Sequence, residues 1–103
     1  MLIIKQGCEE MRELLCEAYQ HVGYAIELKK EYPFLANTYV EMANSELTLV
    51  DKLHASLTTF IEDYEKSNDS VPASMKELWS FEHKIYVEKY EKVKLKMSLY
   101  QKM

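Results

Sequence analysis

Glycine and proline are scarce in this chain, with two of each among 103 residues. Tight connections usually need one or the other, so a fold rich in hairpins and loops is excluded and the segments between breaks must be long. Cysteine is equally scarce. Cys8 and Cys16 are the only two, and on one helix they lie about 12 Å apart, beyond the roughly 7 Å between Cα atoms that a disulfide tolerates. Free thiols point to the cytosol. Positive charge is not in excess either. The net charge is −4, whereas a phosphate-binding surface needs clustered Lys and Arg, so nucleic acid is not an expected partner. Long apolar runs are missing as well. Four apolar residues precede Lys5, against the roughly 7–15 of a secretory signal. No stretch approaches the roughly 20 apolar residues of a membrane span, so the expectation is a cytoplasmic protein that engages no membrane.

What the chain does have is hydrophobic content of 48% and charged content of 29%, the balance of a packed helical protein rather than a disordered one. Its length suits one domain over residues 1–103, with roughly two thirds of the unfolded surface removed from water. Lys84, Lys89, Lys92, Lys94, Lys96 and Lys102 crowd the last third, but Glu82, Glu88 and Glu91 alternate with them. That pattern describes a solvated face.

Apolar residues recur at helical spacing in three blocks. The first covers about residues 7–31, with the stripe Met11, Leu15, Ala18, Val22, Ala25 and Leu28. Pro33 breaks it and suits the first turn of a new helix. The second covers about residues 33–66, with the stripe Ala36, Val40, Ala43, Leu47, Val50, His54, Leu57, Ile61 and Tyr64. At about 1.5 Å per residue it is about 50 Å long. Residues 67–72 have loop composition, with Asp69 or Ser70 as a candidate cap and Pro72 as a first-turn residue. The third block covers about residues 72–101, with the stripe Met75, Trp79, Glu82, Tyr86, Tyr90, Val93, Met97 and Tyr100. Long amphipathic helices joined by short connections predict an all-α, antiparallel, three-helix up-down-up bundle. The stripes are rich in Tyr and Met, and a 50 Å helix flanked by two others leaves an apolar seam. Self-association follows, most simply a two-fold homo-dimer or a higher homo-oligomer, with another protein as a further possible partner.

Several polar residues lie on or beside these stripes. Glu82 falls between Trp79 and Tyr86, His54 lies within the second stripe, Glu46 borders it, and Glu17 and His21 sit one turn apart beside the first. Each has a structural reading: His54 as a satisfied core histidine, Glu82 against a lysine or tyrosine hydroxyl, Glu46 at the solvent line, Glu17 and His21 on a flank. His83 points away from Glu82, since helix neighbours do not share a face. Inward carboxylates and histidines from facing helices are also how bundles hold paired iron or manganese.

The run Tyr39-Val-Glu-Met-Ala-Asn-Ser-Glu-Leu-Thr-Leu-Val-Asp-Lys-Leu-His54 resembles the second helix of ferritin-like and rubrerythrin-like proteins, where a small-residue stretch leads into a Glu-x-x-His metal motif. Glu17 with Tyr24 is similar to the Glu and Tyr of a ferritin first helix. Trp79-Ser-Phe-Glu-His-Lys-Ile-Tyr-Val-Glu-Lys-Tyr90 resembles the third helix, which usually supplies a bridging carboxylate. The chain is also similar to small ferritin-like proteins of bacterial and prophage genomes. This resemblance implies a ferritin-like bundle, with Glu17, Glu46, Asp51, His54 and Glu82 as metal candidates and iron or manganese as the cofactor. Two departures stand against an occupied site. Leu49 holds the histidine position of the Glu46 motif, with Asp51-Lys-Leu-His54 as a shifted substitute, and a fourth helix is lacking.

Register divides the candidates. Folding about Tyr32 and about residues 67–70 sets Glu17 opposite roughly residue 48 and Glu82 opposite roughly residue 57, levels about 13 Å apart. Glu17 is therefore expected near Glu46 or Asp51, and Glu82 near His54. No Gly-rich phosphate loop, Cys-x-x-Cys pair or nucleophile elbow occurs. The reading is a non-enzymatic, oligomeric bundle that acts through protein–protein contact, without a cofactor and with a degenerate or lost metal site. The alternative is a metal-binding carboxylate bundle completed by a second chain, and a weaker third is a redox role for Cys8 and Cys16.

Overall fold

The computed structural model describes residues 2–67 and 71–103. Three helices and no strand occur among them: α1 (Leu2–Leu28), α2 (Pro33–Ser67) and α3 (Ala73–Lys102). The extents are 57 × 18 × 18 Å, a rod set by the length of α2.

Each helix exists because its apolar stripe finds a partner, since propensity alone stabilises such segments only marginally. Met11, Leu15, Ala18, Val22 and Ala25 on α1 are buried, as are Ala36, Ala43, Leu47, Val50 and Leu57 on α2, and Val93 and Met97 on α3. Burying one large aliphatic side chain contributes about 1.5–3 kcal/mol. The six largest fully enclosed side chains are Ile4, Met11, Leu15, Val22, Val50 and Val93.

α1 starts at Leu2, five residues before the expected boundary. Gly7 sits inside the helix rather than at its edge. The reason is contact: a methyl group at position 7 would lie 2.5 Å from Leu57 Cδ1. Gly7 lets α2 approach, and Ile4 is buried one turn before it. The α1–α2 connection is short. Tyr32 N–H donates to the Leu28 carbonyl (2.8 Å), and Ala36 N–H donates to the Tyr32 carbonyl (3.0 Å). Pro33 is the first residue of α2, where its missing N–H costs nothing.

Pro72 differs from expectation. It stands at the N-cap, one residue outside α3, and its carbonyl accepts from Met75 N–H and Lys76 N–H. Asp69 and Ser70, the candidate caps, lie outside the described residues. Val71 is buried in the core just ahead of Pro72.

α1 touches both other helices. Leu57 packs on Gly7 and Glu46 bonds to His21 across α1 and α2. Across α1 and α3, Glu82 meets Arg12 and Lys96 lies over the Tyr19 ring (3.7 Å), and just past the end of α1 Lys29 lies over the Tyr100 ring (4.2 Å). α2 and α3 meet through side chains, with Asp51 against Tyr90, His54 against His83 and Glu65 against Lys76. No helix among the described residues is long and apolar enough to cross a membrane.

Candidate functional site

Ionisable residues collect in three places along the rod, and an apolar flank of α2 runs beside the first two.

Glu46 faces α1 from the middle of α2 and is only 9% exposed. His21 Nδ1 donates to Glu46 Oε1 at 2.6 Å. Burial pushes the Glu46 carboxyl above its ordinary range, the His21 bond opposes that shift, and the Glu17 carboxyl adds to it. Three rings close this end. His21 stacks on Tyr39 at 5.8 Å, and Tyr24 meets Tyr39 edge-on at 5.3 Å. A carboxylate removed from water is tolerated only when paired in this way.

Asp51 and His54, one turn apart on α2, face α3. Asp51 accepts hydrogen bonds from the hydroxyls of Tyr86 (3.3 Å) and Tyr90 (3.0 Å). Burial and the Asp51 bond push the Tyr90 phenol up to about 12, and Tyr86 is raised by burial and the same negative charge. His54 lies against Tyr86 (4.6 Å, 9°) and Trp79 (5.4 Å, 24°). Its Nε2 is 3.1 Å from His83 Nδ1, so one imidazole N–H donates to the other ring's bare nitrogen. Burial lowers the His54 pKa first, and the neighbouring His83 lowers it further.

Glu82 is the most deeply set carboxylate, 5% exposed, and meets Arg12 Nε at 3.3 Å. Cys8 lies close by. Burial first, then the Glu82 charge, pushes its thiol up to about 11. The group stays protonated at neutral pH and is a poor nucleophile. Cys16 is exposed, with Lys89 Nζ at 3.9 Å.

The five sequence candidates are thus divided. Glu17 lies with Glu46, Asp51 and His54 belong to the α2–α3 cluster, and Glu82 is with Arg12. The expected approach of Glu82 to His54 is replaced by two separate pairs, because Glu82 points to α1 while its neighbour His83 points to α2. Among the described residues no group of three or more His, Cys, Asp or Glu is arranged to hold a metal. Two partners escaped the sequence reading, Arg12 for Glu82 and His83 for His54. Arg12 is the only arginine of the chain, and it matches the one carboxylate deepest in a stripe. Trp79, His83, Tyr86 and Tyr90 follow steps of four, three and four, which puts all of them on one face of α3.

The flank of α2 next to its core face stays apolar. Leu35, Met42 and Leu49 are spaced by seven residues and are 47%, 42% and 51% exposed. Tyr39, Leu53 and Phe60 lie between and beyond them, half-buried. No protein-family model, curated protein or solved structure matches this chain.

Proposed function

We propose that the chain is a non-enzymatic, oligomeric helical-bundle protein that works through protein–protein contact, and that its first partner is a second copy of itself. In this reading the helices run up-down-up in a ferritin-like bundle whose metal motif has degenerated. The register of pairs supports that topology: residues 7 and 21 of α1 meet 57 and 46 of α2, while 12, 19 and 29 meet 82, 96 and 100 of α3. The free thiols of Cys8 and Cys16 support a cytoplasmic location.

The observation that carries the reading is the second apolar face of α2. Leu35, Tyr39, Met42, Glu46, Leu49, Leu53, Ser56 and Phe60 follow alternating steps of four and three. That spacing keeps a seam facing a partner helix in coiled-coil packing. Tyr39, Glu46, Leu53 and Phe60 lean on the bundle from one edge of this stripe, whereas Leu35, Met42 and Leu49 on its other edge stay 42–51% exposed and are the part a second helix would cover. The seam also complements itself. Two copies of α2 crossing head to tail about a two-fold axis place Leu35 opposite Phe60, Met42 opposite Leu53 and Glu46 opposite Leu49. The same arrangement brings Glu41 of each copy beside Lys52 of the other. Isologous pairing of this kind buries the most exposed members of the stripe and leaves the charged face of α3 in water.

Sedimentation velocity tests it. The wild-type chain is expected to sediment as a dimer at high micromolar concentration. Met42→Glu with Leu49→Glu is expected to give a monomer with unchanged helical circular dichroism, because both side chains lie outside the core. A wild-type chain that stays monomeric over that range overturns the proposal.

A further inference from the structure

His54 and His83 come from different helices, and their facing ring nitrogens, Nε2 and Nδ1, are 3.1 Å apart. Two imidazoles bound to one tetrahedral zinc, each at about 2.0–2.1 Å, have nitrogens about 3.3–3.4 Å apart. The pair already stands at nearly that bite: once the bridging proton moves through solvent to the other nitrogen of its own ring, a small tilt of the exposed His83 ring leaves two lone pairs aimed at one point. We propose that His54 and His83 form a two-imidazole site for a borderline divalent cation of the zinc, nickel and copper class, clipping α2 to α3. This site shares only His54 with the five carboxylate-bundle candidates and does not depend on the self-association argued above.

Three features favour it. First, the ring plane of His54 is fixed in advance, since Trp79 and Tyr86 both stack on it at 5.4 and 4.6 Å. A ligand held in place loses little freedom on binding. Second, the histidines line a groove with Thr58, Trp79 and Ser80, which leaves room for water to complete the coordination. Third, the Asp51 carboxylate lies one turn from His54 on α2 and is held by the Tyr86 and Tyr90 hydroxyls. It supplies negative charge near the cation without acting as a ligand. Imidazole nitrogens select zinc, copper and nickel, whereas magnesium and calcium require an oxygen cage that is absent from this groove. A bound cation competes with protons for the same nitrogens, so affinity falls as the imidazoles are protonated.

The test uses the full chain, stripped with chelator and free of any polyhistidine tag. Zinc is titrated by calorimetry, and copper is titrated while the emission of Trp79, the single tryptophan, is recorded. The expected result is one zinc per chain, a raised melting temperature, and quenching of Trp79 by copper that chelator reverses. His83→Gln is exposed and outside the core, so it keeps the fold. It is expected to weaken zinc binding by at least about tenfold, and His54→Gln is expected to do the same. No zinc uptake overturns the proposal, as does uptake that His83→Gln leaves unchanged. Magnesium binding as tight as zinc binding also overturns it.

Discussion

At the scale of single residues, the polar side chains on and beside the apolar stripes are satisfied by specific partners, and those partners come from a different helix. Glu82 has Arg12, Glu46 has His21, Asp51 has Tyr86 and Tyr90, and His54 has His83. Among the described residues every buried side-chain nitrogen and oxygen has a hydrogen-bond partner. His54 makes the stability of the fold depend on pH. Its pKa in the folded chain lies below the ordinary value of 6.5, so the folded state binds fewer protons there than the unfolded one. Stability contributed by neutral His54 is present above 6.5 and is lost as pH falls through the folded value. The expected outcome is a melting temperature that falls more steeply in wild type than in His54→Gln between pH 7 and pH 5. Glu46 titrates with the opposite sign, since its raised pKa makes the folded state hold a proton longer. Comparing the two proteins cancels that contribution. Thermal melts in chelator at stepped pH provide the check, and identical slopes would remove His54 as the source.

The elements were legible in the sequence where an apolar stripe and a proline agreed. Pro33 marks the start of α2, and the stripe residues Met11, Leu15, Val22, Val50, Val93 and Met97 are all buried. The start of α1 was not legible, because Gly7 normally counts against a helix interior. Only the position of Leu57, fifty residues away in the chain, explains it. The site was half legible. Spacing marked Glu46 and Glu82, which are buried, but also Glu17 and Asp51, which are exposed, and Glu82 turns to Arg12 on α1 while the adjacent His83 takes the place beside His54. Two substitutions separate propensity from packing at the helix level. Ala at position 7 gains about 1 kcal/mol of helix propensity, but its methyl meets three Leu57 atoms within 3.0 Å, and overpacking costs about 1–3 kcal/mol. Gly7→Ala is therefore expected to destabilise by up to about 2 kcal/mol, and to become stabilising in a Leu57→Ala background. Ala at position 23 meets only the mobile end of Lys96, with Nζ at 2.9 Å. Gly23→Ala is expected to stabilise by about 0.5–1 kcal/mol. Urea unfolding of wild type, Gly7→Ala, Leu57→Ala, their double variant and Gly23→Ala measures both signs, and a stabilised Gly7→Ala chain would contradict the contact described.

For the whole molecule, the proposed pairing of two copies through the α2 seam predicts a stability that depends on how much protein is present. If unfolding is linked to dissociation, the melting temperature rises with concentration by mass action. Wild type is expected to melt several degrees higher over a hundredfold increase in concentration, whereas Met42→Glu with Leu49→Glu is expected to melt at a fixed temperature. A concentration-independent wild type would indicate that the seam stays open. The position of α1 between its two neighbours has a different consequence, one of timing. Arg12 waits for Glu82, Cys16 for Lys89 and Tyr19 for Lys96, separations of 70, 73 and 77 residues. During synthesis α1 and α2 can close on each other early, yet one side of α1 has no cover until Val93 and Met97 have left the ribosome. A nascent chain therefore carries a greasy, half-shielded hairpin from the emergence of α2 until α3 follows, and a ribosome that stalls before Met97 holds it in the state most open to chaperones and to mispairing with its neighbours.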